Sequence, residues 1–435
     1  MRKKTKSEEF LGQNKPLRMR WVMISMAFLA TVLNYLHRLS FNYLTVEGPL
    51  RELIPDDAFG YIASAFFIAY LFSNATSGFV IDKLGTRVGY SIYMAFWTTA
   101  GILHVLAISP FQFGIFRSLL GIGEAGNWPA AIKLTGEWFS PEERSTASGI
   151  FNSGAAIGAV IAPPLIAWLG TTYGWQATFI LIGVLGYLWL AMFWFTYYTP
   201  ERSVKESKAR IIPPIKLLKN RFVSGLTLSK VFMDPVWYFI TFWIGRYLAD
   251  VYGWNLVQIG WFAMFPFIVA DFGNILGGLF TQWIIKKGMQ IPKARKFALT
   301  IFGLMMGIPL LLGPFVINGP TGAIIILAIV GFGYTAYSAN TMAMPADVVP
   351  PSATASVWGL AGIGAGLGGL VFQSLSGIVI KNLSNQFNYS IAYSAVFVGY
   401  GFMALIGLAI VLFLTGPIVR NKELQEYVDQ DGKNL

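Results

Sequence analysis

Long apolar runs decide what this chain can fold into. They fall near residues 21–44, 58–80, 88–108, 111–133, 146–168, 176–197, 225–249, 258–284, 297–317, 321–343, 354–379 and 391–415. At about 1.5 Å per residue, each makes a helix of roughly 30 Å, one bilayer crossing. A water-soluble chain could not hide so many. Of its 435 residues, 55% are hydrophobic and only 12% are charged. Soluble domains carry about twice that charged share. The reading is an all-α membrane protein with twelve transmembrane helices, embedded in the lipid bilayer.

The net charge of +11 would suit nucleic acid, but its placement argues otherwise. With the amino terminus inside, the inner connections hold Lys83 and Arg87, then Arg144, then the basic residues from Arg202 to Arg221. They continue with Lys286, Lys287, Lys293, Arg295 and Lys296, and end with Arg420 and Lys422. The outer connections hold little beyond Arg51 and Lys381. This is the positive-inside pattern. Both termini are therefore expected in the cytoplasm, and no nucleic acid is expected as partner. The first twenty residues are basic and lack a short apolar core followed by a cleavage site, so they read as a retained tail. There is no cysteine and there are two histidines. No disulfide, metal cluster, hydrolytic triad or cofactor is expected, and the chain does not read as an enzyme.

The polar stretch 198–222 bisects the chain. The expected organisation is a tail over 1–20, a six-helix bundle over 21–197, a linker over 198–222, a second six-helix bundle over 223–415 and a tail over 416–435. An internal repeat supports two halves. Thr146-Ala147-Ser148, Gly154 and Gly158 match Thr354-Ala355-Ser356, Gly362 and Gly366 at one constant offset. Chance among glycine-rich spans is the alternative, because small-xxx-small patterns are common in membranes. The run Gly362 to Gly369 reads as tight helix packing and not as a phosphate loop, since no strand precedes it. Asn388-Tyr-Ser390 and Asn382-Leu-Ser384 fit the glycosylation pattern. So does Asn74-Ala-Thr76 inside a span, which shows how little that pattern is worth.

A resemblance enters with particular motifs. Gly78-Phe-Val-Ile-Asp82-Lys83-Leu-Gly85-Thr-Arg87, between the second and third spans, resembles the signature loop of the major facilitator superfamily. It implies a gating role for Gly78, Asp82, Lys83, Gly85 and Arg87. LNYLHR, RSLLGIGEAGNWPAAIKLTGEWFSPEERSTASG, and DPVWYFITFWIGRYLADVYGW followed by PFIVADFGNILGG resemble the anion:cation symporter family. Within it, they are similar to the bacterial hexuronate (glucuronate and galacturonate) transporters. The resemblance implies the major facilitator fold, a bacterial inner (plasma) membrane location and a monomer. It also implies that Arg38 and Arg117 serve anion binding and coupling, that Glu124 carries the proton, and that Tyr35 and Tyr70 meet substrate. Members that read aldonates use amides in the fifth and eleventh spans. Ala155 and Gly362 stand in the comparable places here.

The charges inside spans carry the functional argument, because a charge at the bilayer centre costs from about 3 to above 10 kcal/mol. Tyr35, Arg38 and Asn42 fall on one helical face, and so do Asn34 and Arg38. Such a stripe wants a wet cavity; the alternative is an arginine snorkelling to the interface. Arg117, Glu124 and Asn127 share a face of the fourth span. Glu124 is either a structural partner of a cation or a midplane proton carrier. Guanidinium forks match carboxylates, so two arginines at similar depth point to an anionic substrate. Tyr35, Tyr70, Asn152 and Ser153 can hydrogen-bond hydroxyls. In the second half, Trp237, Tyr238, Asp271 and Asn340 are weaker candidates. His37 departs from the family, which has aspartate before the arginine. It ordinarily titrates near neutrality. It reads as a proton carrier, a passive replacement or an introduced change. His104 reads as interfacial.

The expected function is a proton symporter for a small sugar-acid anion, a hexuronate first. An uncoupled facilitator or exchanger of organic anions, and a non-transporting sensor on the same fold, remain alternatives.

Overall fold

In the computed structural model the described residues are 18–139, 143–199, 212–350, 353–419 and 421–429. Residues 200–211 of the 198–222 linker, 1–17 of the first tail, 420 and 430–435 of the second tail, and the side chain of Asp82 lie outside them. The described chain is helical. The first spans are α1 (Met19–Leu44), α3 (Asp56–Leu84) and α4 (Thr86–Leu103), with a short α2 (Pro49–Leu53) between the first two. The fourth span is broken into α5 (Pro110–Glu124) and α6 (Asn127–Trp138). The fifth and sixth run together as α7 (Arg144–Thr196), turned at Gly174 by a φ of 83°. After the short α8 (Pro214–Lys219) come α9 (Arg221–Tyr252), then α10 (Leu256–Phe262) with α11 (Met264–Lys286), α12 (Ile291–Val316), α13 (Gly319–Val348), α14 (Thr354–Gln386) and α15 (Tyr389–Ala409). A π turn over Ile410–Leu414 extends α15, and α16 (Lys422–Asp429) follows. Among the described residues, 7 helices are long and apolar enough to cross a membrane, one of them the double-length α7. With the spans 56–84, 86–103, 110–138 and 221–252 the architecture is the twelve-helix one.

The chain divides into two compact units. The first holds residues 1–206 together with 254–264, and the second holds 207–253 and 265–435.

Glycines set the helix crossings in both units. In the first, a methyl group on Gly154 would lie 2.5 Å from the Phe28 carbonyl oxygen, and one on Gly158 would lie 3.1 Å from that of Val32. In the second, Gly364 meets the Thr227 carbonyl and Gly368 meets that of Val231. Such contacts let backbones approach where lipid supplies no hydrophobic drive. They also give the true register of the repeat. A shift of 199 residues carries Phe28 and Val32 onto Thr227 and Val231; a shift of 210 carries Gly154 and Gly158 onto Gly364 and Gly368. Gly362, the expected partner of Gly154, meets nothing within 4 Å. The literal match between the halves was two residues out, because GIGAGLGG offers several glycines and only packing chooses among them.

Polar side chains tie the span ends. Arg87 donates to the Trp194 carbonyl at 2.6 Å, with its guanidinium 4.8 Å from that indole. Lys133 donates to the Ile81 carbonyl at 3.1 Å. Glu137 accepts from Thr86 at 2.8 Å and from the Tyr197 hydroxyl. Gly85 turns the chain between α3 and α4 with a φ of 79°. Asn388 caps α15 by accepting from the Ile391 amide at 2.9 Å. Helix capping accounts for that asparagine without any glycan.

Candidate functional site

The polar centre of the first unit is built by α1, α3 and the broken fourth span. Ser73 and Ser77 of α3 donate to the carbonyls of Ile122 and Ala125 at 2.9 and 3.1 Å. Gly121 lies so close that a methyl there would be 2.6 Å from the Phe66 carbonyl oxygen. These contacts fix the backbone on both sides of Glu124. Asn127 opens α6; it accepts from the Tyr90 hydroxyl at 2.7 Å and donates to Thr31 at 3.1 Å. The break is thereby stitched to α1 and α4.

Glu124 is fully buried. Arg38 reaches it from α1, with Nε at 2.8 Å and Nη2 at 2.7 Å from the same oxygen, Oε2. The other oxygen, Oε1, has no hydrogen-bond donor among the described residues. Asn34 accepts a further bond from Arg38 at 3.3 Å. Tyr35, Phe66 and Tyr70 surround the guanidinium, their ring centres 5.2, 5.1 and 5.4 Å from Cζ. The Arg38 side chain remains 14% exposed. The result is a cation held between aromatic faces and one carboxylate oxygen, with an open side. A buried pair of this kind is costly to desolvate and contributes little net stability. Chemically the contact is exchangeable: a second carboxylate can take the guanidinium if a proton neutralises Glu124.

Three expected residues take other places. Arg117 was expected beside Arg38 on the cavity wall. It lies behind Arg38, fully buried, and donates twice to the Arg38 carbonyl at 3.0 and 3.1 Å. Phe41 and Phe66 cover its guanidinium at 5.0 and 5.3 Å. Both terminal nitrogens of Arg117 thus hold the Arg38 backbone, while its Nε has no hydrogen-bond partner among the described residues. His37 is one residue from Arg38, and helical twist turns it the other way, onto α4. Its Nδ1–H donates to the Leu33 carbonyl at 2.9 Å, and its ring fills the space left by Gly101. Asn340 is saturated. It accepts from Thr281 at 2.6 Å and donates to the Gly277 and Ala336 carbonyls at 3.1 and 2.9 Å. It rivets α11 to α13 and has no amide hydrogen left for a ligand.

The remaining candidates are open. Asn152, Tyr238 and Asp271 are each half-buried. Lys83 is exposed at the end of α3. Gly78 faces Pro129 across the crossing of α3 and α6. His104 is no interfacial residue: it is fully buried and stacks on Phe179 at 5.0 Å.

Sequence reading missed one pair. Lys230 and Asp234, one turn apart on α9, bond at 2.8 Å with both side chains 7% exposed, and Lys230 sits 4.8 Å from the Trp358 ring centre. The signal was present as a basic and an acidic residue at helical spacing inside the seventh apolar run.

The Major Facilitator Superfamily family model matches residues 18–373. The chain is 33% identical to the hexuronate transporter of Escherichia coli K12, over 84% of this chain and 88% of that protein. It is 32% identical to the galacturonate transporter of Dickeya chrysanthemi, over 66% of this chain and 89% of that one. A probable galactarate/D-glucarate transporter of Escherichia coli K12 is 27% identical, over 95% and 98%. Among solved structures, a bacterial homolog of the human lysosomal transporter Spinster, inward-facing and unoccupied, superposes with a TM-score of 0.76. It is 18% identical and covers 93% of this chain and 98% of its own, a likeness of fold.

Proposed function

The chain belongs to the major facilitator superfamily, and on that premise we propose that it carries a hexuronate across the membrane together with a proton. One observation supports the reading above all: Arg38 binds a single oxygen of a buried glutamate whose second oxygen is bare. A proton added at Oε1 cancels the charge that holds Arg38. The planar fork is then free for a substrate carboxylate, which it matches in a bidentate way. Release of the substrate returns Arg38 to Glu124, and the proton leaves. Substrate and proton thus favour each other's binding, the coupling that symport needs. Tyr35 and Tyr70 line the open side, and Asn152 supplies an amide for hydroxyls. Relatives named for hexuronate and galacturonate support a sugar acid as the carboxylate. Asp271, half-buried in mid-span, is the reserve candidate for a second proton.

Counterflow tests the substrate class. Proteoliposomes preloaded with unlabelled glucuronate or galacturonate are expected to draw in labelled glucuronate. Entry driven by galactarate or galactonate and by neither hexuronate would refute the assignment.

In the same reading both termini and the linker face the cytoplasm of a bacterial inner membrane. Because the chain has no cysteine, Ser207→Cys and Asn385→Cys should label from opposite sides of intact cells. Labelling of both from outside overturns this orientation.

A further inference from the structure

The repeat register points to a second element of recognition. The shift of 199 residues that superimposes α1 on α9 carries Arg38 onto Trp237. The shift of 210 also holds for the fourth and tenth spans: Gly121 meets Phe66 and Tyr70, and Gly331 meets Pro266 and Ala270, 200 residues further on. It carries Glu124 onto Tyr334. Where the first unit has an arginine bonded to a glutamate, the second has an indole stacked on a phenol. The Trp237 and Tyr334 rings lie 5.3 Å apart with their planes only 5° from parallel. Phe267 stands edge-on to Trp237 at 5.7 Å and 89°, and Gly331 leaves room beside its rim. Tyr334 is buried, whereas Trp237 is partly open. Here the phenol backs the indole, the phenylalanine holds its tilt, and part of the indole is left to meet something else.

We propose that Trp237, backed by Tyr334, is a platform for the C–H face of a pyranose ring and selects ring-form hexuronates over open-chain sugar acids. The inference rests on the function given above and names the form of the substrate. A hexuronate has an aldehyde, which closes on its own hydroxyl to give a six-membered ring. The axial C–H groups on one side of that ring make a small apolar patch with a positive edge. An indole face is negative and flat, and it attracts such a patch. Aldonates and aldarates have no aldehyde and remain flexible chains. They present no preformed face, and ordering them on a platform costs rotational freedom that the ring has already given up.

Competition against labelled glucuronate uptake reads this directly, with galacturonate as ring competitor and galactonate and galactarate as open-chain competitors. In Trp237→Leu the inhibition constant for galacturonate should rise about tenfold. The constants for the open-chain acids should stay within about twofold, and the melting temperature should hold. Trp237→Phe keeps a ring in the stack and serves if the leucine variant does not fold; its expected loss is about threefold for galacturonate alone. Equal losses for both classes, or no loss in either variant, overturn the platform. If no sugar acid competes with the wild-type protein, the parent reading fails instead.

Discussion

Glu124→Gln is expected to abolish proton-driven accumulation and to spare substrate exchange. Glutamine keeps a carbonyl oxygen for Arg38, so the contact at Oε2 survives in shape. What it loses is the ability to take and release a proton at Oε1. Each pH unit of gradient is worth about 1.4 kcal/mol, roughly tenfold in concentration. Proteoliposomes given only an inward proton gradient of one unit should concentrate glucuronate several-fold with the wild-type protein. They should reach about equal concentrations with Glu124→Gln. Exchange of labelled for unlabelled substrate moves no net proton and should continue. If the variant still concentrates substrate, Glu124 is a structural counter-ion and the proton site lies elsewhere, with Asp271 next in line.

Arg38→Lys carries the second large effect. Lysine keeps the positive charge beside Glu124, so folding is expected to survive. It replaces a two-toothed planar donor with a point charge, and it loses contact with the faces of Tyr35, Phe66 and Tyr70. Loss of one charge-assisted hydrogen bond costs about 1.5–3 kcal/mol, which is roughly ten- to hundredfold in affinity. Arg38→Ala is the poorer test. It strands Glu124 as an unpaired buried charge, at a cost of about 3–5 kcal/mol to the fold. Calorimetric binding of glucuronate to Arg38→Lys should therefore weaken while the melting temperature holds. Unchanged affinity would mean that Arg38 serves Glu124 alone.

The spans were legible because a bilayer imposes length and apolarity on every one of them. The stripe of Tyr35 and Arg38, and the face shared by Arg117 and Glu124, were legible from helical spacing. Which way each face turns was not. Arg117 and Glu124 are two turns apart on one stripe, yet one bonds a backbone carbonyl and the other a side chain. Gly121 brings α5 close to α3, and no single span's sequence encodes that approach. His37 looked like a cavity residue because it adjoins Arg38; the small Gly101 on another helix made the place it fills. Asn340 looked like a ligand because an amide in a span is costly. Thr281 and two carbonyls already meet its needs, and these lie up to 63 residues away.

The register of the repeat also bears on ancestry. The first two spans of each unit are related by shifts of 199 and 200 residues, the fourth and fifth by 210. Duplicated halves have therefore drifted in length, and only in part of the chain. The turn between α3 and α4 is the single residue Gly85, whereas 287–290 join α11 to α12. Lengthening a turn is inexpensive, about 0.6 kcal/mol for each doubling of a flexible loop. An extra residue inside α9 or α14 would swing every side chain beyond it by roughly 100°. Gly364 and Gly368 would leave the carbonyls they rest on, and bulkier neighbours would take their places. Inheritance has been free to edit the bends and has had to copy the crossings.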